Sequence, residues 1–183
     1  ILVKNNEWWG LKTYPHEVDK IVYTPIANQA TRVAALLSGE LDFILDPPLQ
    51  DLNRIKSTPG LHLVQTAQVR TIFLGMNQGV KQLLSSNVKD KNPLADQRVR
   101  QAMYQAINIE AIKKKVMRGL STPSALMVAA APGINGGDDP KNPTYPRLEY
   151  DVAKAKSLLA DAGYGDGFEV GMDCPNNRYV NDE

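Results

Sequence analysis

The chain has 183 residues, enough for one domain or two small ones. Its 21 Lys and Arg against 20 Asp and Glu leave a formal net charge of +1, which excludes a dedicated nucleic-acid binder, because such a protein needs a basic excess to neutralise phosphates. Hydrophobic residues make up 43% and charged residues 22%, so there is enough apolar surface to offset the entropy of ordering, and a disordered chain is excluded as well.

The chain opens with the strand-like Ile1-Leu2-Val3, without the charged and apolar regions of a signal peptide. Ile21 to Ile26 alternates in strand fashion. Asn28 is placed to cap a helix in which Ala30, Val33, Ala34 and Leu37 form one apolar stripe, and Gly39 ends it. Leu41 to Leu45 is a short strand. Pro47 and Pro48 break it and open a second helix with Leu49, Leu52 and Ile55 inward, closed by the Pro59-Gly60 turn.

Leu61 to Ala67 and Val69 to Met76 read as two further strands. Ile72-Phe73-Leu74 is apolar on both faces, which predicts a strand in the middle of a sheet. A polar connection follows, from Gln78 to Pro93. Asp96 caps the clearest helix, with Val99, Ala102, Met103, Ala106 and Ile107 inward and Arg98, Arg100, Gln101 and Gln105 mostly outward. Asn108 starts another helix with Ile109, Ile112 and Val116 inward, closed by Gly119. Residues 121 to 146 are loop-rich. Asp151 caps a last helix with Val152, Ala155, Leu159 and Ala162 on one face, stopped by Gly163, and Phe168 to Met172 is a final strand. Met103 and Leu159 are the expected core of these helices. The alternation of strands and helices predicts an α/β chain with mixed sheets.

Three motifs occur in order: Gly39-Glu40-Leu41-Asp42-Phe43 after a helix; Asn92-Pro93-Leu94-Ala95-Asp96-Gln97-Arg98-Val99-Arg100-Gln101-Ala102 with Ala106-Ile107-Asn108 and Gly119; and Tyr150-Asp151-Val152-Ala153-Lys154-Ala155-Lys156-Ser157-Leu158-Leu159 with Ala162 to Phe168. Together they resemble the extracytoplasmic solute-binding proteins of peptide-type ABC transporters, whose members bind oligopeptides, dipeptides, nickel chelates and some sugars. Asn5-Asn6-Glu7-Trp8-Trp9 also resembles that family's Asn-x-x-Tyr-Trp segment, with Trp8 in place of Tyr. The motifs are helix caps and helix-to-strand turns, so they report the fold and are silent on the ligand.

The resemblance implies a partial two-lobed periplasmic-binding-protein type II fold. Residues 1–68 would belong to the first lobe, residues 69–183 would begin the second, and Val69 to Asn77 would lie near the crossover. It implies capture of a peptide-like solute in the periplasm or another extracytoplasmic space, and delivery to the permease and ATPase subunits of an ABC importer, with no cofactor and no covalent chemistry. Because residue 1 is Ile and the chain stops just after a new strand and turn, it reads as a piece of a longer protein, and apolar faces left uncovered would favour self-association. A naturally short protein processed at its N-terminus is the alternative.

Arg178, with Asn177 and Tyr179, follows the last strand. An Arg there clamps a peptide carboxylate in bidentate fashion, or is an ordinary solvated surface Arg. Arg70, Thr71 and Asn77 flank the hinge-like strand, whose backbone can pair with an extended peptide; ordinary strand-edge polarity is the plainer reading. Trp8 and Trp9, if on a strand, face opposite sides, and structural packing accounts for them best. Lys113-Lys114-Lys115 with Arg118 complements a helix C-terminus. Asp138 and Asp139 lack the alternating spacing of a calcium loop.

Cys174 is the single cysteine and His16 and His62 are the two histidines, and none stands in a metal or triad frame. No phosphate loop, His-Glu-x-x-His or Gly-x-Ser-x-Gly is present. The longest uncharged apolar run, Ala125 to Ile134, contains Pro132 and Gly133 and falls well short of the roughly 20 residues that span a bilayer. The reading is therefore a binding protein, with a sensory or chaperone-like module on the same fold, or a hydrolase with its catalytic residues elsewhere, as alternatives.

Overall fold

The computed structural model describes residues 1–66, 68–128 and 145–175. The chain divides into two compact units, Ile1–Leu63 and Val64–Glu183.

In the first unit, β1 (Leu2–Val3) pairs antiparallel with β2 (Lys20–Ile21), Leu2 opposite Ile21. Helix α1 (Gln29–Leu37) starts where Asn28 Oδ1 accepts the Thr31 N–H at 2.9 Å. It ends at Gly39, whose φ of 79° is open only to a residue without a Cβ clash. A single 3₁₀ turn, Leu49–Asp51, leads into α2 (Leu52–Ser57). The core here is Val33, Leu36 and Ile55, with Leu37, Ile44 and Leu61 packed around them. The inward face of α1 is thus Val33, Ala35 and Leu36, while Ala30 and Ala34 are exposed. Alanines fit either side of a helix, so the bulkier Leu36 decides which side turns toward Ile55. Leu49 and Leu52 are half-buried and only Ile55 of that helix is buried.

In the second unit, a 3₁₀ turn (Pro93–Ala95) precedes α3 (Gln97–Ala106), and α3 packs on α5 (Val152–Asp161). Between them, α4 (Ile109–Ala111) runs into a wider π-type turn, Ile112–Val116. Asp96, Asn108 and Asp151 cap their helices as expected, each accepting a backbone N–H at 2.8 Å. Ala102, Ala155 and Leu158 form the contact between α3 and α5. Val99, fully buried, joins Leu83 and Leu94 in a second cluster ringed by Met76, Met103, Leu159, Tyr164, Phe168 and Val170.

Several faces differ from the sequence reading. On α5 the buried positions are Ala155 and Leu158, with Leu159 and Ala162 beside them, and Val152 is exposed. The same i, i+3, i+4, i+7 template fits a frame starting at Ala155, since Val152 lies in the first turn. Met103 and Leu159 are half-buried where the core was expected. On α3, Ala106 is exposed and Gln105 is buried. Gln105 is satisfied there: its Nε2 donates to the Glu149 carbonyl at 3.2 Å, its Oε1 accepts from Gln101, and its carbonyl accepts the Asp151 N–H at 2.9 Å. Ile112 and Val116 are exposed.

The strands differ most. Of the extended segments expected at 21–26, 41–45, 61–67, 69–76 and 168–172, only Ile21 lies in a paired strand among the described residues, and Val170 makes a single bridge to Ser86. Alternation of side chains reports an extended backbone; a strand also needs a neighbour to hydrogen-bond. Ile72, Phe73 and Leu74, expected inside a sheet, are 72%, 58% and 47% exposed.

Candidate functional site

Residues 69–77 form a strip outside any helix or strand, exposed except at the half-buried Thr71 and Met76, with three points of attachment. Thr71 Oγ1 donates to the Met127 carbonyl at 2.7 Å, across 56 residues of sequence. Met76 packs on the Leu83, Leu94 and Val99 cluster. The Asn77 carbonyl accepts from Asn92 Nδ2 at 2.9 Å. Between these points no backbone hydrogen bond joins Ile72 to Gly75 with another segment among the described residues. A held strip with an unpaired backbone edge is chemically suited to strand addition: its N–H and C=O groups can pair with an extended chain, and Ile72, Phe73 and Leu74 supply apolar contact.

Arg70 stands at the entry of the strip and is exposed. Asn77 stands at its exit, where Oδ1 accepts the Gly79 N–H at 3.2 Å and closes a local turn. Asn177, Arg178 and Tyr179 lie outside the described residues, as do Asp138 and Asp139.

The segment that leads toward residues 177–179 is anchored at its base. Ser86 Oγ donates to the Glu169 carbonyl at 2.7 Å, Asn87 Oδ1 accepts the Glu169 N–H at 3.0 Å, and the Gly171 N–H reaches the Ser85 carbonyl at 2.7 Å. Gly171 allows this approach, since a Cβ there would lie 2.7 Å from the Ser85 Cβ.

The charged groups of the second unit brace its helices. Arg98 straddles two helix ends: its guanidinium meets both Asp96 oxygens at the start of α3 and donates to the Asp161 carbonyl at 2.6 Å at the end of α5. The hydrogen bonds from Arg98 hold the Asp96 carboxyl below the usual carboxylate range and raise Arg98 in turn. Arg100 donates to the Leu94 and Ala95 carbonyls. The hydrogen bond from Arg147, at 2.7 Å, likewise lowers Glu110. The sequence reading placed Arg98 and Arg100 mostly outward and missed these roles; an Arg two or four residues after an N-cap Asp is the available signal. It also assigned no role to Asn92, although Asn before Pro marks a side chain turned back on its own backbone.

In the first unit, β1, β2, Trp8 and His16 line an open groove of about 420 Å³. Trp8 and Trp9 lie in turns and not on a strand. Trp8 is half-buried against Tyr14 and His16, its ring centroid 6.4 Å from each, while Trp9 is exposed. The polar groups of the groove already serve one another: Lys4 Nζ donates to the His16 carbonyl at 3.0 Å and lies 3.7 Å from Asp19. Among the described residues, no group of three or more His, Cys, Asp or Glu is placed to hold a metal ion, and no helix is long and apolar enough to cross a membrane.

The described residues thus define a mixed scaffold of short helices and extended segments, with its polar side chains spent on capping and bracing. Residues 1–182 match the model of the bacterial extracellular solute-binding proteins, family 5 Middle, and the chain belongs to that family. It is 30% identical over 162 residues to the glutathione-binding protein GsiB of Salmonella choleraesuis, covering 88% of this chain and 28% of that protein. It is 30% identical over 168 residues to heme-binding protein A of Haemophilus influenzae, covering 92% of this chain and 27% of that protein. The glutathione-binding protein GsiB of Escherichia coli K12 is 28% identical over 162 residues, with the same coverage as the first. The chain therefore spans little more than a quarter of the length of these relatives.

Proposed function

We propose that the full-length protein is the solute-binding component of an ABC importer, which captures a peptide-like ligand outside the cytoplasmic membrane and hands it to a membrane permease powered by ATPase subunits. The observation that carries this reading is the family match across residues 1–182. Relatives named for glutathione, itself a tripeptide, support a short peptide, and an equally similar relative named for heme sets the competing ligand for the test. The protein would perform no covalent chemistry.

In this reading the fold is the two-lobed type II arrangement, with residues 1–68 in the first lobe and 69–183 opening the second. The parting of the chain into two units near residue 64 supports it. The strip from Val69 to Asn77 lies at the crossover, and the sheet neighbours of the extended segments come from parts of the protein outside this chain. Arg70 and Asn77 face the ligand from either end of the strip, and Arg178, with Asn177 and Tyr179, meets its carboxylate.

Thermal unfolding of the purified full-length protein tests the reading, with reduced glutathione, trialanine, haem and nickel as probes. A tripeptide at 100 times its dissociation constant stabilises by about 2.7 kcal/mol through mass action. A shift with haem or nickel alone would replace the peptide assignment, and no shift with any probe would overturn it.

A further inference from the structure

We infer that Asn92 is a positioning residue for ligand binding, which sets how Asn77 is presented at the end of the strip; this deepens the reading of residues 69–77 given above and rests on it. The Asn92 carboxamide makes three hydrogen bonds. Nδ2 donates to the Asn77 carbonyl and to the Val80 carbonyl, both at 2.9 Å, and Oδ1 accepts the Leu94 N–H at 3.0 Å. One side chain thus fastens the turn at 77–80 to the Pro93–Ala95 turn, whose Pro93 and Leu94 are buried. A carboxamide is the side-chain group that offers two donors and an acceptor in one plane; a carboxylate keeps the acceptor and loses both donors.

The backbone prepares this geometry. Asn92 precedes Pro93, which forces an extended conformation, and φ −114°, ψ 102° is what Asn92 adopts. The Asn92 side chain is therefore aimed before the turn closes. Asn77, held by its carbonyl, turns its own Oδ1 to the Gly79 N–H at 3.2 Å. That bond fixes which end of the Asn77 amide faces the turn, because only the oxygen can accept. Asn77 Nδ2 is left exposed with no hydrogen-bond partner among the described residues. A fixed amide donor at the end of an unpaired backbone edge matches a carbonyl or carboxylate oxygen of an extended peptide. Asn92 does not touch that peptide; it removes the freedom that Asn77 would otherwise lose on binding.

The test uses the full-length protein and its Asn92→Asp variant, which keeps the cap on the Leu94 N–H and removes both bonds to carbonyls. Wild-type binding of reduced glutathione and trialanine is measured first by calorimetry; if neither binds, the reading of the strip as ligand-facing fails before any variant is made. With a tripeptide bound by the wild type, Asn92→Asp should hold its melting temperature within a few degrees, raise amide exchange at Gly79 and weaken the tripeptide about tenfold. Faster exchange with unchanged affinity would reduce Asn92 to a brace for a surface turn and overturn the inference, as would unchanged exchange. If Asn92→Asp does not fold, Asn92→Ser, whose hydroxyl still caps Leu94, takes the same measurements.

Discussion

At the scale of single residues, steric and electrostatic fits decide most. Gly10 is buried because the indole of Trp8 lies against it, and a Cβ there falls inside contact distance of the ring. Gly10→Ala should push Trp8 out of its packing against Tyr14 and His16 and cost about 1–3 kcal/mol, visible as a red shift in tryptophan emission. An unshifted spectrum would show that the ring has room to move aside. Asp96 gives a test by pH. Its folded pKa lies below the unfolded value of about 3.9, so its pair with Arg98 adds stability above that value and loses it as pH falls through the lowered folded pKa. Asp96→Asn keeps a good cap but removes the charge. The wild type should melt higher than Asp96→Asn at neutral pH, and the gap should narrow as the pH falls below the usual carboxylate range and Asp96 protonates; a gap that stays constant in acid would assign the effect to something other than the ion pair.

Between elements, the pairing of α3 and α5 dominates the second unit. Ala102 and Ala155 are small enough to bring the helices close, and Leu158 fills the remaining space. Leu158→Ala should cost about 2–5 kcal/mol in chemical denaturation, and Leu159→Ala distinctly less, because Leu159 is half-buried. The reverse order would put the inward face of α5 where the sequence pattern alone placed it. Gln105 and Arg98 fix the two ends of the same pair, one through the Glu149 and Asp151 backbone and the other through the Asp161 carbonyl. Polar side chains thus set the register of the helices, and the apolar ones set their separation.

For the molecule as a whole, the defining feature among the described residues is exposed apolar chain outside any paired strand. Val69, Ile72, Phe73 and Leu74 are all exposed on the strip, and Phe43 and Leu45 are exposed in the first unit. An unpaired backbone edge with apolar side chains recruits another chain. Residues 1–183 expressed alone should therefore associate with concentration and bind a hydrophobic dye. Light scattering that shows a strict monomer up to high micromolar concentration would mean that these segments find partners within the chain.

The helices and their caps were legible in the sequence: Asn28, Asp96, Asn108 and Asp151 each accept a backbone N–H, because an N-cap is a local bond between residues two or three apart. The family was legible for a related reason, since its motifs are those caps and turns. The sequence placed Val33, Ile55, Val99, Ala102 and Ala155 inward and they are buried, while tertiary structure decided the rest of the α1 and α5 faces, because alanine-rich stripes fit two frames and the neighbour chooses between them. It alone showed that Gln105 and the Arg98 guanidinium work at helix ends, since their carbonyl partners are 44 and 63 residues away. It also decided which expected strands pair: among the described residues Leu2–Val3 meets Lys20–Ile21 and Val170 bridges Ser86, while 41–45 and 69–76 lie in no ladder, because pairing depends on which other segment comes within hydrogen-bonding reach.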